Sequence, residues 1–456
     1  MRTRLLLAAL LSLGAWAAEI QAQTTDGVQV DEGRLPSGAV YRFERPAQWQ
    51  RGPLLVYSSG YSATLGAPRT SHGEERTALL AQGYALMGIT ASRPGWALEQ
   101  VVPEQLEALD AFIKQHGQPK RTLAIGTSMG ALVSTQLVEQ HPARFDGGLL
   151  ICGSVAGTLA MMNQAFDATW AFATLQPELG LPTRLHAAGD AGRQQRQAWL
   201  QAVASARQTP QGRARLALAA TLAQAPAWAD AKSPPPALDD IDAQAAALAQ
   251  AFAPASLLPR DDQEQRAGGN FSWNEGVDYA DLVRRSGREN LLRAIYERAG
   301  HKLDDDLALL AAAPRTTADP AAVAYMQRHY VPTAHPPKPL LTLQTTADPL
   351  TLTEFSTAYA QAAQAAGQGE QVRTAHVRRL GHCGFEPGEV LAALQTLEAR
   401  IAGQPWQADA AALNARARSS GVPSPAFVDH HPAPLLRPCW NQRSDRCNAP
   451  IRKSSP

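Results

Sequence analysis

Short apolar runs bounded by Gly, Pro or polar residues recur along the first third of the chain, at 39–43, 54–58, 84–90, 122–126 and 148–152. Their length and density predict strands. Between the later runs lie two amphipathic stretches, 104–115 and 131–140, each long enough for a crossover helix. Parallel strands need such crossovers, and the crossovers cover the sheet, so this rhythm predicts a mostly parallel central sheet with helices on both faces. The alternation stops at 155 and returns only at 339. A gap of that length is too long for a connecting loop. Ala, Gln, Leu and Arg dominate it, with breaks at Pro182, Pro210, Pro234 to Pro236 and Pro259, so the gap reads as several helices. After it come a strand at 340–344, a helix at 354–366, a strand at 372–380 and a helix at 387–400. The predicted core is therefore discontinuous, 23–154 and 339–403, around a helical insert at 155–338. The Pro-rich and Arg-rich extension at 404–456 is expected to lie along the surface.

The first residues change this picture only at the edge. A basic start, Arg2 and Arg4, precedes an apolar run at 5–18 that is short for a membrane span and suited to a secretory signal. Residues 1–22 are thus expected to be a signal peptide cut after Ala17 or Ala22, with a secreted or periplasmic product. No later stretch is long and apolar enough to span, so no stable membrane insertion is expected. Hydrophobic residues make up 45%, enough for a large core, while 42 Lys plus Arg against 41 Asp plus Glu leave no field that would draw nucleic acid. The expected partner is a small molecule or a short polymer, and the oligomeric state is not legible. In an oxidising compartment Cys439 and Cys447, close together in the extension, are expected to form a disulfide. For Cys152 and Cys383 the default expectation is two buried free thiols.

The sharpest chemical signal is Gly126-Thr127-Ser128-Met129-Gly130, placed directly after a predicted strand and before a predicted helix. A serine on such a strained turn projects above the sheet at a helix N-terminus, where free N–H groups and the helix dipole favour negative charge. The flanking Gly126 and Gly130 let strand and helix approach. On these residues the chain resembles the α/β-hydrolase superfamily, over Gly38 to Ser154 and Pro339 to about Arg400. That resemblance implies an acid after the strand at 340–344 and a base after the strand at 372–380. Asp348, in T-T-A-D-P, and His382, in L-G-H-C-G-F, stand at those places. The implied roles are Ser128 as nucleophile, His382 as general base and then acid, and Asp348 as the group that orients the imidazole.

Two backbone N–H groups are needed where negative charge develops, and Met129 and Tyr61 are the expected donors. Ser58-Ser59-Gly60-Tyr61 with Ser128-Met129 is similar to the pattern of cutinase-like polyester hydrolases. The insert falls where the superfamily carries a cap before the acid-bearing strand. Phe166 and Trp170 share a helical face within it, a stripe that reads either as core or as a wall of the substrate pocket. No metal-ligand spacing is present and no cofactor is expected. The leading function is hydrolysis of carboxylic esters through an acyl-enzyme. The alternatives are a serine aminopeptidase or amidase of the same fold and a non-catalytic binding protein built on it.

Overall fold

The computed structural model describes residues 21–25, 27–186 and 188–440. The described strands form one ten-stranded sheet in the order β1-β2-β3-β5-β4-β6-β7-β8-β9-β10. They are β1 (Gln21–Thr25), β2 (Val28–Arg34), β3 (Val40–Pro46), β4 (Pro53–Ser58), β5 (Ala85–Thr90), β6 (Arg121–Thr127), β7 (Gly147–Ile151), β8 (Leu340–Ala347), β9 (Val372–Leu380) and β10 (Phe427–Val428). The run from β5 through β9 is parallel, and antiparallel strands flank it at both edges. The β3-β5-β4-β6 crossing followed by the β7-β8-β9 continuation is the α/β-hydrolase fold, with β6 leading into the elbow at its centre.

Parallel strands covered on both faces are expected to be continuously apolar, and β4, β5, β6 and β7 are buried almost throughout. Helices Leu98–His116, Met129–Gln140 and Thr353–Ala365 pack with one core cluster that includes Phe43, Phe112 and Leu132. Helix Pro387–Ile401 packs on the other face with Leu55, Leu123 and Leu343. Strands β1 and β2 and the helix Glu75–Ala81 escape the pattern seen in sequence. Val28-Gln-Val-Asp-Glu-Gly-Arg34 alternates weakly because it lies near an edge and buries only Val30 and Asp31 well. Gln21 and Ala22 pair with Glu32 and Asp31, so of the two expected cleavage points only the one after Ala17 would leave this strand whole. The rest of the expected signal peptide lies outside the described residues, as does Cys447.

Between β7 and β8 the described chain is helical, from Thr158–Leu175 to Pro320–Tyr330. Most of this insert closes around a separate apolar cluster holding Phe166, Trp170, Phe172, Trp199 and Phe252. The extension departs from expectation. Leu435, Leu436 and Cys439 are buried, and Arg437 pairs with the fully buried Asp167 at 2.8 Å. Instead of lying along the surface, this stretch packs between insert and core. The reason is charge: Asp167 is fully buried, and Arg437 supplies a hydrogen-bonded cation that its burial requires. Cys439 is disulfide-bonded.

Candidate active site

The backbone builds the elbow before any side chain acts. Ser128 sits at φ 57° as the residue leading into helix Met129–Gln140. A Cβ at Gly126 would stand 2.1 Å from the Gly130 carbonyl oxygen, and one at Gly130 would stand 1.9 Å from the carbonyl oxygen of Ser58. Only glycine allows those approaches, so the turn is fixed by steric necessity. The Ser128 N–H donates to the Ile151 carbonyl at 3.0 Å, which ties the turn to the neighbouring strand.

From the elbow a hydrogen-bonded chain runs across the ends of three strands. Ser128 Oγ lies 2.9 Å from His382 Nε2, and His382 Nδ1 lies 2.7 Å from Asp348 Oδ2. Asp348 is buried while the His382 side chain is 24% exposed, so the acid is dry and the base opens toward the cavity. Asp348 uses its oxygens separately. Oδ1 accepts from the N–H of Leu350 at 2.8 Å and of Thr351 at 3.0 Å, shaping the turn at Pro349, and Oδ2 faces the imidazole. The residue serves both as turn former and as partner of the histidine.

Thr351 is a site residue that sequence reasoning missed. Its hydroxyl lies 2.8 Å from both Asp348 Oδ2 and the Cys152 carbonyl oxygen, and 3.2 Å from His382 Nδ1. The D-P-L-T turn was the available signal, since a Thr three residues after an Asx turn former can bond back to it. The expectation of free thiols is corrected here. Cys152 and Cys383 are joined by a disulfide, their Cα atoms 5.2 Å apart across a sequence separation of 231. The ends of β7 and β9 lie in one sheet, a proximity that no local pattern announces. Both cysteines have positive φ, 44° and 59°, so the strained backbone of the site is cross-linked beside the histidine. The two sulfurs and His382 lie within 4.8 Å of one another, but sulfurs bonded to each other offer no thiolate to a metal.

A cavity of about 520 Å³ opens at Ser128, and Tyr61 and Met129 both line it. Neither N–H donates to a described group, and Met129 is the first residue of its helix, where donors are free by construction. Gln105 holds the approach to Tyr61 by donating to the Tyr57 carbonyl at 2.9 Å and to Ser58 Oγ at 3.1 Å. The Tyr61 ring is tilted against Trp96 at 5.5 Å. His72 also lines the cavity, and burial lowers its pKa from the usual histidine range.

Phe166 and Trp170 are not brought to the site. Both are buried in the cluster of the insert, Trp170 stacked on Tyr279 at 5.1 Å, and no residue of 155–338 lines the cavity. Their shared face packs inward because the insert is large enough to need its own core. The insert reaches the cavity-side loop from behind: Asp262 accepts from the Trp96 N–H at 2.5 Å, and Arg266 donates to the Pro94 carbonyl at 2.8 Å.

The arrangement can carry out nucleophilic acyl transfer, with a hydroxyl, a base in contact with it, a buried acid behind the base, one free N–H at the elbow and another in the loop after β4. No family model matches the chain. It is 27% identical over 423 residues to o-phthalyl amidase of Xanthobacter agilis, covering 86% of this chain and 91% of that one. Among solved structures, the rice cell wall degrading esterase LipA of Xanthomonas oryzae aligns at 13% identity with a TM-score of 0.35, covering 82% of this chain and 88% of that one. Acetyl xylan esterase of Paenibacillus sp. R4 aligns at 11% with a TM-score of 0.37, covering 84% and 88%. The fold rests on the strand order described above.

Proposed function

We propose that this chain, a hydrolase of the α/β-hydrolase fold, cleaves carboxylic acyl derivatives through a covalent acyl-Ser128 intermediate, in a secreted or periplasmic setting. The observation that carries the reading is the unbroken contact from Ser128 Oγ through His382 to buried Asp348. His382 Nε2 takes the hydroxyl proton as Oγ attacks the carbonyl carbon, and the N–H groups of Met129 and Tyr61 receive the oxyanion. The imidazolium then gives its proton to the departing group, and water, activated the same way, releases the acid. Asp348 holds the Nδ1–H tautomer throughout.

Esters are the first substrate class, since an alcohol or phenol is a better leaving group than an amine and asks less of the protonated histidine. Amides are the second reading, favoured by the long alignment with a relative named as an amidase. An amine leaves only once protonated, so the amide reading leans harder on His382 as acid. A panel of p-nitrophenyl esters and acyl p-nitroanilides, run beside labelling by a fluorophosphonate, tests both. Label on Ser128 and turnover lost in Ser128→Ala are expected. Label on another serine, or turnover persisting in that variant, would overturn the proposal.

A further inference from the structure

The charge on the walls of the site is one-sided. Arg69 and Arg93 both line the cavity at Ser128, and no Asp or Glu does. Elsewhere the arginines around this region are neutralised. Arg266, which grips the Pro94 carbonyl next to Arg93, pairs with Glu99 at 2.8 Å and Asp262 at 2.9 Å, and Arg76 pairs with buried Glu44 at 2.5 Å. Those acids are thereby paired, and another buried carboxylate nearby, Glu75, accepts from the N–H groups of His72 and Gly73. Among the described residues Arg93 makes no ion pair, and the Arg69 guanidinium is held by the His72 carbonyl alone. Two exposed guanidinium groups without a carboxylate partner stand at the rim of a cavity whose deeper walls include Ile89, Val101 and Leu350, and they leave a positive potential over an apolar floor. A guanidinium presents a planar fork that matches a carboxylate, and a cavity of about 520 Å³ lies within the range that holds a small ligand.

We infer that the substrate carries a carboxylate, which Arg93 and Arg69 receive while its scissile carbonyl lies at Ser128; the inference rests on reading this site as one of acyl transfer. The apolar walls take the body of the molecule, and the two arginines select against the neutral isostere. A neutral amide in place of the carboxylate satisfies neither guanidinium and forfeits the charge-assisted bonds. Arg69 and Arg93 are accordingly specificity residues.

The test uses isosteric pairs. For the acyl side, p-nitrophenyl hydrogen glutarate is compared with p-nitrophenyl glutaramate, which ends in a carboxamide; for the leaving group, 4-acetoxybenzoate is compared with 4-acetoxybenzamide. The ratio of kcat/KM, acid over amide, should exceed one in at least one pair, and that pair locates the anion. Arg93→Gln should lower the ratio about ten-fold, as expected for loss of a charge-assisted contact. Arg69→Gln should lower it too, and Arg144→Gln, a surface residue paired with Asp110, should leave it in place. Raising salt from 0.05 to 0.5 M should shrink the preference. A ratio at or below one in both pairs, or one indifferent to both arginine substitutions, would overturn the inference. Calorimetry with glutarate and glutaramide on Ser128→Ala separates this from the function itself. If the wild type hydrolyses nothing and takes no fluorophosphonate, acyl transfer fails, yet tighter binding of glutarate that Arg93→Gln abolishes keeps the anion site. Equal binding of the two ligands ends it.

Discussion

The sheet and the insert treat polar groups in opposite ways. In the insert, buried charge is matched inside the protein: Asp167 meets Arg437 and Tyr279, Asp306 meets Arg215 at 3.0 Å and Tyr296 at 3.0 Å, and Arg260 meets Glu264 at 2.9 Å and Ser272 at 2.8 Å. At the ends of the strands, by contrast, Ser128 and His382 face a cavity, the N–H groups of Met129 and Tyr61 are unspent, and Arg93 has no carboxylate. Polar groups satisfied by one another hold a shape, whereas groups left unsatisfied beside a cavity are available to a ligand. On the proposed function, this difference places the chemistry on the sheet and leaves support to the insert.

The largest expected effect breaks the sheet side of the comparison. Asp348→Asn should keep the fold and reduce turnover on the order of 10⁴, because an amide at that position stabilises the wrong histidine tautomer. Steady-state kinetics with circular dichroism checks it, and near-normal turnover would assign the role elsewhere. On the insert side, Arg437→Ala takes from buried Asp167 the cation that hydrogen-bonds it and should cost about 3–5 kcal/mol of stability in denaturant unfolding. Trp170→Ala, which empties part of a packed cluster, should cost about 3–5 kcal/mol as well. In both variants the protein that remains folded should react with fluorophosphonate at the wild-type rate and keep its order of preference among acyl chain lengths. A changed order would mean that the insert touches the substrate after all.

The smallest effect sits on the seam between the two regions, where Glu354 of helix Thr353–Ala365 and Arg288 of the insert line a second cavity of about 750 Å³. Burial pushes the Glu354 carboxyl up to about 7 from an ordinary 4.5, against the pull of its own backbone N–H and of Arg288. The folded protein therefore keeps a proton that the unfolded chain releases between those values. Stability from this group is full below pH 4.5 and is lost as pH rises through 7. Glu354→Gln should accordingly match the wild type in melting temperature at pH 4 and exceed it at pH 8, and a constant offset across that range would contradict the account.

Local physics explains which parts were legible in sequence. The buried parallel strands are continuous apolar runs, and β9 begins and ends where the pattern places it. The elbow is visible because sterics demand glycine at two fixed offsets from Ser128. Asp348 and His382 follow from strand order once the fold is named. What escaped depends on contacts distant in the chain. The Phe166 and Trp170 stripe is equally compatible with a pocket wall and with a core, and only the partners Tyr279, Trp199 and Phe252 decide between them. The extension looks polar in composition, and the role of Arg437 is invisible without Asp167, 270 positions earlier. The Cys152–Cys383 bond is hidden by the same cause.

That bond also alters what a break in the chain would mean. Its two halves flank the entire insert, so everything from Gly153 to His382 lies inside a closed covalent ring. A protease that clips an exposed stretch of the insert, such as the one around Lys232, converts one polypeptide into two without releasing either. The fragments would migrate together until a reductant is added. Ser128 on the first piece and His382 on the second would stay tethered within reach of each other, so for this molecule integrity of the backbone and integrity of the catalytic centre are separate properties.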